Sequence, residues 1–185
     1  MFRKALLLSH VLVGGFFLPV AFLFAITGAL YTYGIKGDYL TKTVLLTPAY
    51  PVGETLEPLI TLATETLNIQ KLKAPTGNPA LKKVGTSWQF EWTGTAHDIV
   101  IEPTNTPGDV NVQIKKTSWH RHFVQLHKAK GGWPFKLLAA LFAIGLMGLF
   151  VSGLLIAQSQ PRLKRIWLYS AALGTTTFIL AALLS

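Results

Sequence analysis

Three uncharged, strongly apolar runs constrain this chain more than any other feature: Leu6–Thr32, Leu137–Ala157 and Ile166–Ser185. At helical rise the first reaches roughly 40 Å and the other two roughly 30 Å. A bilayer's hydrocarbon core is about 30 Å thick, so each run is long enough to cross it as a helix. Half the residues are hydrophobic, too many for an ordinary soluble domain of 185 residues. The chain is therefore expected to be a membrane α-helical protein with three transmembrane helices. The basic start Arg3-Lys4 would also suit a signal peptide, but the apolar run is about twice a normal signal core and lacks a small-x-small cleavage site. It is expected to stay as an anchor.

Basic residues set the direction. Arg3 and Lys4 precede the first run, and Arg162, Lys164 and Arg165 fill the short segment between the second and third. Short positively charged segments stay in the cytoplasm, which predicts a cytoplasmic N-terminus, an external C-terminus and an external central region. That central region holds all eight acidic residues and is long enough to escape the positive-inside rule. The expected layout is a first transmembrane helix over 1–35, an outer domain over 36–135, a second helix over 136–158, a cytoplasmic loop over 159–165 and a third helix over 166–185. The net charge of +9 would suggest nucleic acid in a soluble protein, but here it is spread over loops and beside the apolar runs, so lipid is the expected partner and nucleic acid is not.

Within the outer region, Pro48 and Pro51 precede a stretch in which Leu59, Ile60, Leu62, Ala63 and Leu67 recur at helical spacing, predicting one amphipathic helix. After Gly77 and Pro79 the period changes to two. Trp88, Phe90 and Trp92 alternate with polar residues, and Ile99–Ile101 and Val110–Ile114 add short strands separated by Gly94, Pro103, Pro107 and Gly108. The expectation is a small α+β domain whose aromatic strand forms the buried face of an antiparallel sheet. No hydrolase-like constellation is present, and His97 beside Asp98 reads as a solvated turn histidine.

There is no cysteine, so thiolate metal sites and iron–sulfur clusters are excluded. With Met1 and Met147 the only sulfur donors, neutral imidazole is the strongest transition-metal ligand available. The informative histidines are His10, inside the first apolar run, and His120, His122 and His127, just before the second. An ionisable group at membrane depth is costly and marks a functional candidate. Bis-histidine ligation of haem b in a helix bundle needs nothing beyond imidazole. His10 lies at the inner end of the first helix and His127 at the outer end of the second, roughly 30 Å apart by helix rise, so they cannot share one iron. A two-fold homodimer would bring each beside its own symmetry mate, giving two haems stacked across the membrane. If the segment from Trp119 to Lys130 is helical, His120 and His127 share a face while His122 points elsewhere. His120 or His122 could then supply the outer ligand, and a protein-only metal site from these three is a further alternative. Glycines in all three runs suit close approach of helices or of a flat porphyrin.

Four segments carry a resemblance: Ser9-His10-Val11-Leu12-Val13-Gly14, Ile26-Thr27-Gly28-Ala29-Leu30, Leu126-His127-Lys128-Ala129-Lys130-Gly131-Gly132 and Val151-Ser152-Gly153-Leu154-Leu155. They resemble the PepSY-associated transmembrane helix proteins over most of the chain. The resemblance implies a periplasmic PepSY-like α+β domain, a bacterial inner membrane location, and haem-dependent reduction of ferric iron or ferric siderophores, with His10 and His127 at the positions of the family's histidines. Larger members look like two copies of a helix–domain–helix unit, and this chain has about half their length, which makes the homodimer necessary for paired ligation. Lys128-Ala129-Lys130 stands where a glycine is common after the histidine. The reading is a dimeric haem b protein, two haems per dimer, passing electrons from a quinone or a cytoplasmic reductase to ferric iron or a ferric chelate. Lys115, Lys116, Arg121, Lys128 and Lys130 are the basic candidates on the substrate side. The alternative is a non-enzymatic membrane adaptor or accessory subunit whose outer domain binds a partner protein. Transport ranks last, because the three runs contain no Asp or Glu.

Overall fold

The computed structural model describes residues 2–185; Met1, counted above among the sulfur donors, lies outside them. The elements in chain order are α1 (Phe2–Thr32), β1 (Tyr39–Leu46), α2 (Leu56–Ile69), β2 (Pro79–Val84), β3 (Ser87–Trp92), β4 (His97–Pro103), β5 (Val110–Thr117), α3 (Trp119–His127), α4 (Trp133–Gln158) and α5 (Pro161–Leu184). Three of these helices are long and apolar enough to cross a membrane: Arg3–Thr32 within α1, α4 and α5. No residue of α4 or α5 is buried, so their Leu, Ile and Phe side chains need lipid as their solvent. This is a membrane protein with three spanning helices and a small α+β domain.

Two compact units make up the chain. One contains the residues up to Ala21 together with Ala139–Ser185, and the other contains Phe22–Leu138. In the first unit α1 meets α4 through small residues. Phe17, buried to 9% exposure, lies over Gly145 and against Phe142 at 5.7 Å between ring centroids. A Cβ at Gly145 would fall 2.5 Å from the Phe17 ring, so glycine is what admits that ring. One turn on, Gly14 faces Leu149. These contacts run in opposite chain directions, as two antiparallel helices require.

Both later helices begin earlier than their uncharged runs. α4 starts at Trp133 with Pro134 in its first turn, and α5 starts at Pro161. A proline in a helix's first turn lacks only an N–H that would have no partner there, and its fixed φ suits the helix. The loop expected over 159–165 is thus a break at Ser159 and Gln160, and Arg162, Lys164 and Arg165 are helical.

In the second unit the five strands form one antiparallel sheet in the order β1-β5-β4-β3-β2. Strands β2 to β5 follow one another as a meander. β1 pairs along its length with β5, and α2 carries the chain from that edge to the opposite one. Gly85, at φ +61°, supplies the left-handed residue that the two-residue hairpin between Val84 and Ser87 demands. Alternation places Trp88, Phe90, Ile99, Ile101, Val110, Val112 and Ile114 on one face, where Leu59, Leu62, Ala63 and Leu67 of α2 cover them. Asp98 and Val100, also buried, point to the other face.

His97 corrects the expectation of a solvated turn histidine. It is the first residue of β4, only 7% exposed, and its Nε2 bonds to the Lys73 carbonyl at 2.8 Å. Its sequence neighbours are small and polar, but alternation turns it toward the α2 face, where the chain leaving α2 closes over it.

Candidate functional site

His127 is the last residue of α3. Ser118 opens that helix, its hydroxyl accepting from the Arg121 N–H. It closes with Lys130 N–H bonded to the Gln125 carbonyl and Ala129 N–H to the Leu126 carbonyl, with Ala129 left-handed at φ 57°. This double closure is a Schellman motif. It ends α3 on His127, whose ring lies against α1, 4.9 Å from the Phe24 ring and 2.9 Å from Thr27 Oγ1 through Nδ1.

The proton in that bond can be assigned. The Thr27 hydroxyl donates to the Leu23 carbonyl at 2.5 Å, so its oxygen accepts from His127 Nδ1–H. A neutral imidazole protonated on Nδ1 presents a lone pair on Nε2. Gly28 follows Thr27, and a Cβ there would be 3.2 Å from His127 Cε1 and 4.0 Å from Nε2. The glycine therefore keeps open the space beside the ring edge that carries the lone pair.

His10 repeats the device in the other unit. Its Nδ1 is 2.7 Å from Ser152 Oγ, and that hydroxyl donates to the Leu149 carbonyl at 3.1 Å. The serine oxygen thus accepts from Nδ1–H, which in a neutral ring again leaves the lone pair on Nε2. Gly153 follows, with a Cβ position 3.7 Å from His10 Cε1. A groove of about 210 Å³ lined by Ser9, His10, Val13, Gly145, Gly148, Leu149 and Ser152 runs beside the ring. Among the described residues, neither Nε2 has a hydrogen-bond partner.

Each site thus combines an oriented imidazole, a hydroxyl that fixes its tautomer and a glycine that leaves room. An imidazole whose other nitrogen donates to the protein is the usual form of a histidine metal ligand. An imidazole nitrogen is a donor that haem iron accepts, and the groove beside His10 is lined mainly by apolar and small residues. No group of three or more His, Asp or Glu side chains among the described residues could hold a bare metal ion.

The other candidates are placed differently. His122 Nδ1 lies 3.0 Å from the Thr95 carbonyl, to which it donates. His120 stacks 5.8 Å from Trp119, its Nε2 buried and without a partner among the described residues. The three histidines of α3 do not converge. Arg121 is tied into the domain: Nη1 donates to the Lys36 carbonyl at 3.2 Å, Nη2 to the Tyr39 hydroxyl at 3.0 Å, and its guanidinium lies 4.4 Å over the Tyr39 ring. Gly37, at φ +72°, allows the backbone of Arg121 to come this close, since a Cβ there would fall 2.6 Å from its nitrogen. Lys130 is pushed below the usual lysine range by burial. Lys128 is exposed and lies over Tyr31. Lys115 and Lys116 are in β5, opposite Thr41 and Leu40.

Behind Arg121 is a buried polar cluster that the sequence did not announce. Tyr39 donates to Asp98 at 2.6 Å, the Gly94 N–H donates to the same carboxylate at 2.9 Å, and the Gln125 amide nitrogen lies 3.0 Å from the Tyr39 oxygen and 3.3 Å from Asp98. Burial first, and then the bond to Asp98, push the Tyr39 phenol up to about 12. The cluster fastens α3, and with it His127, to the sheet. It joins β1, β4 and α3, and such long-range contacts leave no local pattern. Thr27-Gly28 and Ser152-Gly153 did leave one, a hydroxyl–glycine step inside an apolar run, but its pairing with a particular histidine is visible only in three dimensions.

A family model described as PepSY-associated TM region matches residues 2–158, which include His10, Thr27, His127 and Ser152 and leave out α5. No curated protein and no solved structure matches the chain.

Proposed function

The chain belongs to the PepSY-associated TM region family, and from that premise we propose that it is a dimeric haem b protein that carries electrons outward across a bacterial inner membrane to reduce ferric iron or ferric chelates. One observation carries the reading: His10 and His127 each bond through Nδ1 to a helix hydroxyl and leave Nε2 without a hydrogen-bond partner among the described residues. Haem b would be held through these two nitrogens, one level for each histidine, with the symmetry mate completing each pair. When bound, the group supplies a one-electron ferric/ferrous couple.

The chain's own residues supply the rest. Thr27 and Ser152 orient the rings and raise their basicity by accepting from Nδ1. Val13 and Leu149 give the groove beside His10 an apolar lining that disfavours water there. Arg3, Lys4, Arg162, Lys164 and Arg165 favour the cytoplasmic side for the N-terminus and the α4–α5 break, which supports a periplasmic sheet domain. Electrons would enter at the His10 level from a quinone or a cytoplasmic reductase and leave near His127, where lysines favour an anionic acceptor.

The test is the absorption spectrum of protein purified in detergent, before and after dithionite. A Soret band that shifts on reduction, and that His10→Ala and His127→Ala each weaken, is the expected result. A colourless preparation with ferric reduction unchanged in both variants would remove the reading. If such a preparation also carried a stoichiometric partner protein, the chain would instead be a membrane adaptor.

A further inference from the structure

One face of α1 carries Thr27 and Gly28 against His127, and Tyr31 follows them at helical spacing of four and three, so it belongs to the same face one turn nearer the end of the helix. Two ammonium groups converge on its ring. Lys36 Nζ, from the chain just after α1, lies 5.1 Å from the ring centroid, and Lys128 Nζ, from the residue after His127, lies 5.7 Å from it. Neither makes an ion pair; the one salt bridge among the described residues joins Lys82 to Glu91, elsewhere in the sheet.

A cation at this distance gains little from an exposed ring, and two like charges around one ring repel each other. An oxyanion held beside the ring would offset that repulsion and accept a charge-assisted hydrogen bond from an ammonium group. The Tyr31 hydroxyl adds a neutral donor of the kind that carboxylate and phosphate oxygens accept. The left-handed Ala129 turns the chain immediately after Lys128, so the Schellman closure that ends α3 on His127 also fixes where Lys128 leaves the helix.

We infer that Tyr31, Lys36 and Lys128 form an oxyanion site beside His127, taking the carboxylate or phosphate oxygens of a small anionic ligand or of a lipid headgroup. As an anion site it stands independently of haem. The identification of its ligand as an anionic ferric chelate, docked where electrons leave, rests on the reading above.

The experiment uses the full chain in phosphatidylcholine nanodiscs and gallium(III) citrate, a redox-inert counterpart of ferric citrate, titrated calorimetrically. The expected result is binding that weakens at least about tenfold in Lys36→Gln/Lys128→Gln and falls with added salt. The charge-matched Lys73→Gln/Lys83→Gln should leave it nearly unchanged. Equal losses in both double variants would show a general field instead of a site, and no binding to the unsubstituted chain in any lipid would also overturn the inference. Repeating the titration with phosphatidylglycerol separates the sources: competition that disappears in Lys36→Gln/Lys128→Gln makes the headgroup phosphate the resident anion, and no competition leaves the chelate. Binding of gallium citrate by a colourless preparation would keep the site while removing the haem reading.

Discussion

His127 and Thr27 meet in a 2.9 Å hydrogen bond whose direction is set from outside it, because the threonine hydroxyl gives its own proton to the Leu23 carbonyl at 2.5 Å. His10 and Ser152 stand in the same relation through the Leu149 carbonyl. Two histidines from different parts of the chain are thus held in the same tautomer by the same means, a hydroxyl that bonds back to its own helix and is followed by glycine.

Removing either hydroxyl should release one tautomer and leave the other fixed. Thr27→Val keeps the volume of the side chain and deletes the acceptor for His127; Ser152→Ala does so for His10. Nitrogen spectra of histidine-labelled protein should show Nδ1 protonated at both sites in the unsubstituted chain and a mixture only at the affected histidine in each variant. If haem is held there as proposed, its affinity at that site should fall about 10- to 100-fold, the usual cost of losing an imidazole's second partner. Thr27→Ser should restore both readouts. A variant with an unchanged tautomer would show that the hydroxyl does not set it.

The glycines of α4 should respond to enlargement according to what faces them. Gly145→Ala would put Cβ 2.5 Å from the buried Phe17 ring, so the ring or the helix must shift, at roughly 1–3 kcal/mol for overpacking. Gly148 has nothing within 4 Å of its Cβ position, and there alanine should be neutral or slightly stabilising through its higher helix propensity. Thermal unfolding of the two variants in the same detergent checks the contrast, and equal effects would contradict the packing of α1 on α4.

The spans and the central sheet could be read from the sequence because their signals are local: an uncharged run for each helix, and alternation for β3, β4 and β5. β1 and β2 were not read. β1 contains Thr41, Lys42 and Thr43 and is largely exposed, as an edge strand can be, and its place is fixed by pairing with β5, far along the chain. β2 begins on Pro79 and carries Lys82 and Lys83, also at an edge, where a proline and solvated lysines cost little. At the candidate site the histidines were visible as ionisable groups in or beside apolar runs, whereas Arg121, read as a substrate contact, is already engaged by Tyr39 and the Lys36 carbonyl.

Tyr39 predicts a feature of the alkaline limb of stability. Burial, and the Asp98 carboxylate that accepts its proton, raise the phenol from 10.0 to about 12, so the folded chain holds this proton more tightly than the unfolded chain does. Its contribution is complete below pH 10 and is lost as pH rises from 10 toward 12. Tyr39→Phe should lower the melting temperature at neutral pH, by losing the bond to a buried carboxylate, and flatten the decline across that window. Melting curves of the two proteins between neutral pH and pH 12 test it, and parallel curves would show that Tyr39 does not titrate there.

Ala129 offers a stabilising substitution at the edge of the candidate site. It occupies the left-handed position of the Schellman closure at φ 57°, where a side chain with a Cβ costs roughly 1–2 kcal/mol and glycine costs nothing sterically. Ala129→Gly should therefore stabilise the fold by up to about 1 kcal/mol after the added freedom of the unfolded chain is subtracted. The melting temperature should rise by a few degrees. Because the motif's hydrogen bonds are kept, His127 should remain on Thr27 and its tautomer should not change. Lys71, at φ 54° in the equivalent position after α2, should give a similar gain when replaced by glycine, and it lies outside the site. Stabilisation in Lys71→Gly without any in Ala129→Gly would mean that the turn after His127 is held in place by something other than the helix closure.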